Sequence, residues 1–113
     1  MESLNQFVNS FAPKLSHWRR DFHHYAESGW VEFRTATVVA EELHQLGYSL
    51  ALGREVVNES SRMGLPDEFT LQREFERARQ QGALEQWIAA FEGGFTGIVA
   101  TLDTGRPGPV MAF

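Results

Sequence analysis

The sequence contains no cysteine. That absence excludes disulfide bonds, thiolate nucleophiles and cysteine-based zinc sites, and it fits a reducing compartment, so we expect a cytoplasmic location. The first ten residues lack the basic and apolar regions of a signal peptide. No apolar run approaches the roughly 20 residues that a membrane helix needs, so we expect a soluble chain with no membrane partner.

Clustered positive charge is missing as well. The chain has 10 basic and 15 acidic residues, a formal net charge of -5, and no run of Lys or Arg. Because phosphate backbones are bound by such runs, nucleic acid is not an expected partner. Hydrophobic residues make up 42% of the 113 residues, with nine Phe and three Trp, which is sufficient for one hydrophobic core.

Apolar residues at helical spacing predict two helices in the first half of the chain. The first helix runs from about Glu2 to His24, and Pro13 should kink it or divide it near Ala12. One face of this helix carries Leu4, Phe7, Val8, Phe11, Leu15, Trp18 and Phe22. The second helix begins after Gly29 and ends at Gly47. Its inward face carries Phe33, Val38, Val39, Leu43 and Leu46.

Strands and further helices follow. Alternation predicts a strand over residues 48–57, and Pro66-Asp67-Glu68 marks the start of a helix that ends at Gly82. A helical segment follows up to Gly93-Gly94, completing a helical hairpin. Residues 97–102 and 109–113 read as two strands joined by a turn. Because the chain stops among apolar residues of the last predicted strand, we expect a chain truncated within a strand.

Four histidines are the first candidates for chemistry: His17, His23, His24 and His44. Glu41 and His44 have the i, i+3 spacing of a metal-binding pair, but the single copy favours a solvated helix face. His23 and Glu27 could form a pair that stabilises the fold or transfers protons.

Two further patterns carry weaker signals. Arg19-Arg20-Asp21 could bind a carboxylate substrate, although adjacent charges on a helix are ordinarily solvated. Gly93-Gly94 and Gly105-x-x-Gly108 match no nucleotide-binding motif and read as turns. The residues therefore assign no catalytic, cofactor-binding or metal-binding position on this chain.

An ordered series of motifs resembles the start of the aminoacylase/carboxypeptidase-like zinc metallopeptidases. The series is Arg19-Arg20-Asp21-Phe22-His23, Glu27, Glu32-Phe33-Arg34-Thr35 and Leu43-x-x-Leu46-Gly47-Tyr48, and residues 97–102 and 108–113 are similar to the family's first core strands. The similarity spans nearly the whole chain except a helical insertion at about residues 58–92. Ala26 stands in the place of the usual proline, and Tyr25 stands where many members have His.

The resemblance implies an α/β fold in which residues 1–113 are the truncated N-terminal part of a catalytic domain. Helices would precede the first strands of a mixed sheet. The full enzyme would be a metal-dependent amidohydrolase that uses a pair of divalent ions, zinc or manganese, to cleave N-acyl amino acids. Its partner would be a second hydrolase subunit or further copies of the same chain.

In the family, the metal-binding motif lies beyond the segment that this sequence matches. The chain alone is therefore expected to bind no metal, to be inactive and to act as scaffold. The alternative is a small stand-alone interaction module that pairs with a partner protein through an exposed strand edge.

Overall fold

The computed structural model describes residues 1–113 and combines helices with two short strands. In chain order, the elements are helix α1 (Leu4–His24), helix α2 (Phe33–Gln45), strand β1 (Ser49–Leu52), helix α3 (Glu68–Gln80), helix α4 (Glu85–Ile88) and strand β2 (Ile98–Thr101). Three 3-10 turns cover Gly53–Glu55, Glu59–Ser61 and Ala89–Phe91. The predicted α/β character is therefore confirmed.

Helix α1 begins at a capping box. Ser3 accepts a hydrogen bond from the Gln6 amide, and the Gln6 side chain accepts one from the Ser3 amide. The helix then continues through Pro13 to His24, so the alternative of two short helices is wrong. No residue of α1 is buried, and its predicted apolar face is half-buried or exposed along its length.

The core lies between α2, α3 and α4. Phe33, Ile88, Phe91 and Phe95 are almost completely buried, and the Phe33 ring meets Phe75 edge to face at 5.2 Å between centroids. Helix α2 contributes Phe33, Ala36, Thr37 and Ala40 to this core. Small side chains on α2 let α3 and α4 approach closely.

The prediction for the inward face of α2 is partly wrong. Phe33 is buried as expected, but Val39 and Leu46 are exposed. The buried face is rotated toward Ala36, Thr37 and Ala40, because the helical hairpin covers that side. Thr37 is accommodated in the core because its hydroxyl donates to the Arg34 carbonyl and accepts from the Leu84 amide.

Helix α3 begins where the sequence indicates. Asp67 is the N-cap, and its carboxylate accepts a hydrogen bond from the Thr70 amide at 2.7 Å. That bond lowers the pKa of Asp67 below its ordinary value of 3.8. The helix ends before Gly82, whose φ of 95° is in the left-handed region.

Strands β1 and β2 pair antiparallel, with Ser49 opposite Thr101 and Leu52 opposite Ile98. Strand β1 is shorter than predicted, since Gly53 turns away with φ 61° and starts a 3-10 turn. Residues 102–113 are exposed and form no strand, so the predicted strand at 109–113 is wrong. With two antiparallel strands, these residues do not form the predicted mixed sheet.

No helix has the combined length and apolar character that crossing a membrane would demand.

Candidate functional site

The residues of the N-terminal motifs converge where the end of α1 meets the start of α2. Asp21 on α1 receives two hydrogen bonds from the Arg34 guanidinium, at 2.8 Å from Nη1 and 3.0 Å from Nη2. The Arg34 side chain is 11% exposed and that of Asp21 22%. This hydrogen-bonded pair lowers the pKa of the Asp21 carboxyl below its ordinary value of 3.8, so Asp21 is an anion at neutral pH.

Arg34 also ties the helical hairpin to the same junction. Its Nε donates to the Gln81 carbonyl at 3.0 Å, and its guanidinium lies 4.2 Å from the centre of the Tyr25 ring. One side chain therefore links α1, α2 and the segment after α3. We call Asp21, Tyr25, Glu27, Arg34 and Thr35 the α1–α2 buckle.

Glu27 completes the buckle by capping α2. Its carboxylate accepts hydrogen bonds from the amides of Arg34 and Thr35 and from the Thr35 hydroxyl, each at 2.8 Å. These amides belong to the first turn of α2, whose own N-cap residue, Glu32, makes no side-chain cap bond. Glu27 supplies the missing acceptor and a favourable negative charge at the helix N-terminus.

Glu27 therefore makes no pair with His23, and the predicted His23–Glu27 contact is not formed. Arg19, Arg20 and His23 are exposed, whereas Asp21 is occupied by Arg34. The structure thus divides the Arg19-Arg20-Asp21 motif, and only Asp21 joins the buckle. A substrate carboxylate would find two exposed arginines here but no enclosed cavity.

Glu41 and His44 face Trp87 of α4. The Glu41 carboxylate accepts the Trp87 indole N–H at 2.6 Å and also bonds the amides of Gln45 and Gln86. The bond from Trp87 is the main reason that the pKa of Glu41 lies below its ordinary 4.5. The His44 ring stands at 62° to the Trp87 ring, 5.3 Å away. This pair joins α2 to α4, a role that the solvated-face interpretation did not predict.

The pair of metal ions implied by the resemblance requires a cluster of carboxylates and imidazoles. No group of three or more His, Cys, Asp or Glu side chains lies close enough to hold an ion. The carboxylates of Asp21, Glu27 and Glu41 are satisfied by Arg34, backbone amides and Trp87. The residues present therefore do not fit a metal centre, and we assign none to them.

Two open grooves flank the helical hairpin. The first has a volume of about 620 Å³, runs beside Leu50 and Leu52, and carries Arg54, Glu68 and Glu92 on its walls. The second has about 610 Å³ and lies over Phe95, whose ring is sandwiched by Arg54 at 4.0 Å and Arg62 at 3.9 Å. Both grooves carry acidic and basic side chains, and neither is lined by a nucleophile with an adjacent base.

Sequence reasoning missed the Phe95 sandwich and the Trp87–Glu41 bond. Both join residues more than 30 positions apart, and no short motif encodes them. Arg34 lies within a recognised motif, but its partners Asp21 and Gln81 come from other elements. Only the paired occurrence of opposite charges on two adjoining helices could have suggested the Asp21–Arg34 contact.

Comparison with known proteins points to one class, the hydrolases of amino acids that carry an acyl group on nitrogen. No family model matches the chain. The chain is 68% identical over 113 residues to an indole-3-acetyl-aspartic acid hydrolase of Enterobacter agglomerans, covering all of this chain and 26% of that relative.

A more specific match follows within this class. All 113 residues align at 97% identity with one subunit of the p-aminobenzoyl-glutamate hydrolase of Escherichia coli K12, again over 26% of its length. A homolog of that polypeptide from Haemophilus influenzae is 34% identical over 110 residues, which are 96% of this chain and 24% of that protein. The chain thus spans about a quarter of the length of the curated relatives it matches.

A solved structure supports the same relationship. The crystal structure of an aminobenzoyl-glutamate utilization protein from Klebsiella pneumoniae superposes with a TM-score of 0.92 at 65% identity, covering 96% of this chain and 28% of that one. The sequence also favours p-aminobenzoyl-glutamate hydrolase within the family it resembles, because of the predicted helical insertion at about residues 58–92. The similarity to p-aminobenzoyl-glutamate hydrolase is confirmed over all 113 residues by sequence and over 96% of the chain by structure.

Proposed function

We propose that this chain is the framework segment of a metal-dependent amidohydrolase that cleaves N-acyl amino acids such as p-aminobenzoyl-glutamate. The observation that carries the proposal is the 97% identity to a polypeptide of p-aminobenzoyl-glutamate hydrolase along all 113 residues. The match to an indole-3-acetyl-aspartic acid hydrolase supports the broader substrate class, an amino acid acylated on nitrogen.

The geometry of the buckle supports a framework role. Asp21 and Glu27, the motif carboxylates, bond the partly buried Arg34 and the first turn of α2 rather than facing a cavity. Such groups fix the angle between two helices but are not free to accept a substrate proton. The chain would therefore position later parts of a catalytic domain, of which it is the N-terminal part.

The divalent metal pair of the full enzyme, zinc or manganese, would be held by residues outside this chain. The isolated chain should therefore be inactive and bind neither ion stoichiometrically. The Escherichia coli relative is named as one subunit of its enzyme, which suggests the partner, a second hydrolase subunit. We place the complete enzyme in the cytoplasm, in keeping with the absence of cysteine.

A chimera tests this proposal. The chain would replace the corresponding segment of the Escherichia coli relative, and the joined protein would be assayed for hydrolysis of p-aminobenzoyl-glutamate with and without a chelator. We expect chelator-sensitive hydrolysis from the joined protein, and neither hydrolysis nor metal uptake from the chain alone.

Matched variants separate the framework role from general damage. Arg34→Ala should lower the yield of folded, active chimera, whereas Arg73→Ala, on an exposed part of α3, should leave both unchanged. Hydrolysis or tight metal binding by the 113-residue chain alone would contradict the proposal, as would an inactive chimera beside an active parent. The alternative function is a stand-alone interaction module that pairs with a partner protein through a strand edge. If that alternative is correct, the chimera should be inactive.

A further inference from the structure

Helices α1 and α2 lie antiparallel and touch through polar side chains. Near the middle of α1, Lys14 bonds Glu42 at 2.9 Å, and near its end Asp21 bonds Arg34 at 2.8 Å. The order of the partners is reversed along the two helices, which makes them antiparallel. The edge of α1 that faces α2 is thus marked by Lys14 and Asp21.

The apolar stripe of α1 does not coincide with that edge. At about 100° per residue, the stripe is centred roughly 80° around the helix from Lys14 and Asp21. Phe7 and Leu15 on this stripe are 49% and 51% exposed. The helix therefore uses a polar flank to hold α2. Its apolar side is half-buried at Phe11, Trp18 and Phe22 and is open elsewhere.

Helix α2 shows the same offset in the same direction. The exposed Val39 of α2 and Leu46 at its C-cap lie roughly 90° around the helix axis from the edge marked by Arg34 and Glu42. Because the helices are antiparallel, equal rotations away from their shared edge bring both stripes to one side of the pair. The exposed apolar side chains on this side of the two helices are defined as the two-helix apolar surface. They are Leu4, Phe7, Val8, Leu15, Val39 and Leu46.

The surface also extends past the end of α2. Ten residues of α1 precede Lys14, about 15 Å of helix, while only three residues of α2 follow Glu42. The first turns of α1 therefore overhang the pair, and Leu4 and Phe7 have no neighbouring helix to cover them. Contiguous apolar patches of this kind are rarely left in water and mark interaction surfaces.

We propose that the two-helix apolar surface is covered by the polypeptide that makes up the other three quarters of the relatives' length. This inference rests on the proposed function. The relatives are about four times as long as this chain, so they contain ample polypeptide to cover it. The TM-score of 0.92 over 96% of this chain, against a chain of which this one covers 28%, indicates that the same fold forms within a longer polypeptide. The remaining polypeptide can therefore contact the two-helix apolar surface without a rearrangement of this fold.

Hydroxyl-radical footprinting of the chimera described above tests the inference. Phe7, Leu15 and Leu46 should be oxidised several-fold more slowly than Phe69, which is exposed on α3 away from this surface. The protection should persist on dilution to the monomer, checked by light scattering. Free oxidation of these residues overturns the proposal, and so does protection that disappears with dissociation, because a second copy would then be the cover.

Substitutions provide the second arm. Phe7→Glu and Leu15→Glu in the chimera should lower its Tm by several degrees, while Asn9→Glu and Ser16→Glu, on the opposite side of α1, should leave it unchanged. Equal effects at both pairs of positions would overturn the proposal. An active chimera with an unprotected surface would refute the docking surface alone, whereas an inactive chimera with a protected surface would refute the proposed function alone.

Discussion

Two regions of the molecule are stabilised in different ways. Residues 31–91 enclose a cluster of buried apolar side chains that includes Phe33, Ile88 and Phe91. Helix α1 buries no residue and is joined to the rest through hydrogen bonds and ion pairs at the buckle and at Lys14–Glu42. Burial stabilises the first region, whereas charged contacts orient the second, so mutations should have different effects in each.

The largest effect is expected at Phe33. Phe33→Ala removes a fully buried ring that packs edge to face on Phe75, and such truncations cost about 3–5 kcal/mol. Urea unfolding followed by tryptophan fluorescence would measure the loss. Phe69→Ala is the control, since that ring is 72% exposed and its loss should change the free energy of unfolding by about 0.5 kcal/mol or less. Similar losses at both positions would mean that the core is not centred on α2.

A smaller loss is expected at Gly53, which ends β1. A Cβ added there would lie 2.0 Å from the Ala90 carbonyl oxygen, and φ is 61°. Gly53→Ala should therefore cost about 2–4 kcal/mol, from overpacking and an unfavourable backbone conformation together. Gly47→Ala isolates the backbone part, because φ is 89° but no atom lies within 4 Å, and should cost about 1 kcal/mol. Equal losses in urea unfolding would exclude the close approach of Gly53 to Ala90.

The buckle should show a moderate and pH-dependent effect. Asp21→Asn weakens the paired bonds from Arg34 and should cost about 1–2 kcal/mol at pH 7. Because Arg34 lowers the folded-state pKa of Asp21 below 3.8, this contribution is fully present above that value and is lost as the pH falls through the lowered pKa. The unfolding curves of the parent and the variant should therefore converge below about pH 4.

The control for the buckle is Glu2→Gln, at an exposed position before α1 with no hydrogen-bond partner. Its difference from the parent should stay near zero at every pH. A constant gap for Asp21→Asn between pH 7 and pH 3 would show that the effect is not carried by the charge of Asp21.

Local signals in the sequence predicted the elements of the first region well. Asp67 marks the start of α3 because an N-cap acts through amides two or three residues away, and Gly82 marks its end because of its left-handed conformation. The β-branched apolar run at residues 97–102 correctly predicted strand β2, because β1 is available within the chain as its partner strand. Starts and ends of elements depend on neighbours in sequence.

What covers a face depends on neighbours in space, and there the predictions failed. The period of α1 correctly predicted one apolar side, but it could not show that this side stays half-buried or exposed. Residues 109–113 have strand-forming composition, yet a strand needs a partner for its backbone, and none is formed here. The i, i+4 spacing suggested a pair of Glu27 with His23, whereas the partners of Glu27 are amides in the first turn of α2. No candidate catalytic position was assigned from sequence, and whether the chain carries one stays a prediction.

The smallest effect on the free energy of unfolding is expected on the apolar side of α1. A small effect there would confirm that burial stabilises the core but not α1. Leu15 is 51% exposed, so Leu15→Ser in the isolated chain should change the free energy of unfolding by about 0.5 kcal/mol or less. Ile88→Ser, which places a hydroxyl in the core, should cost several times more because that side chain is 2% exposed. A large loss for Leu15→Ser in urea unfolding would show that α1 packs on other residues of the chain, and the polar buckle would then not be its main attachment.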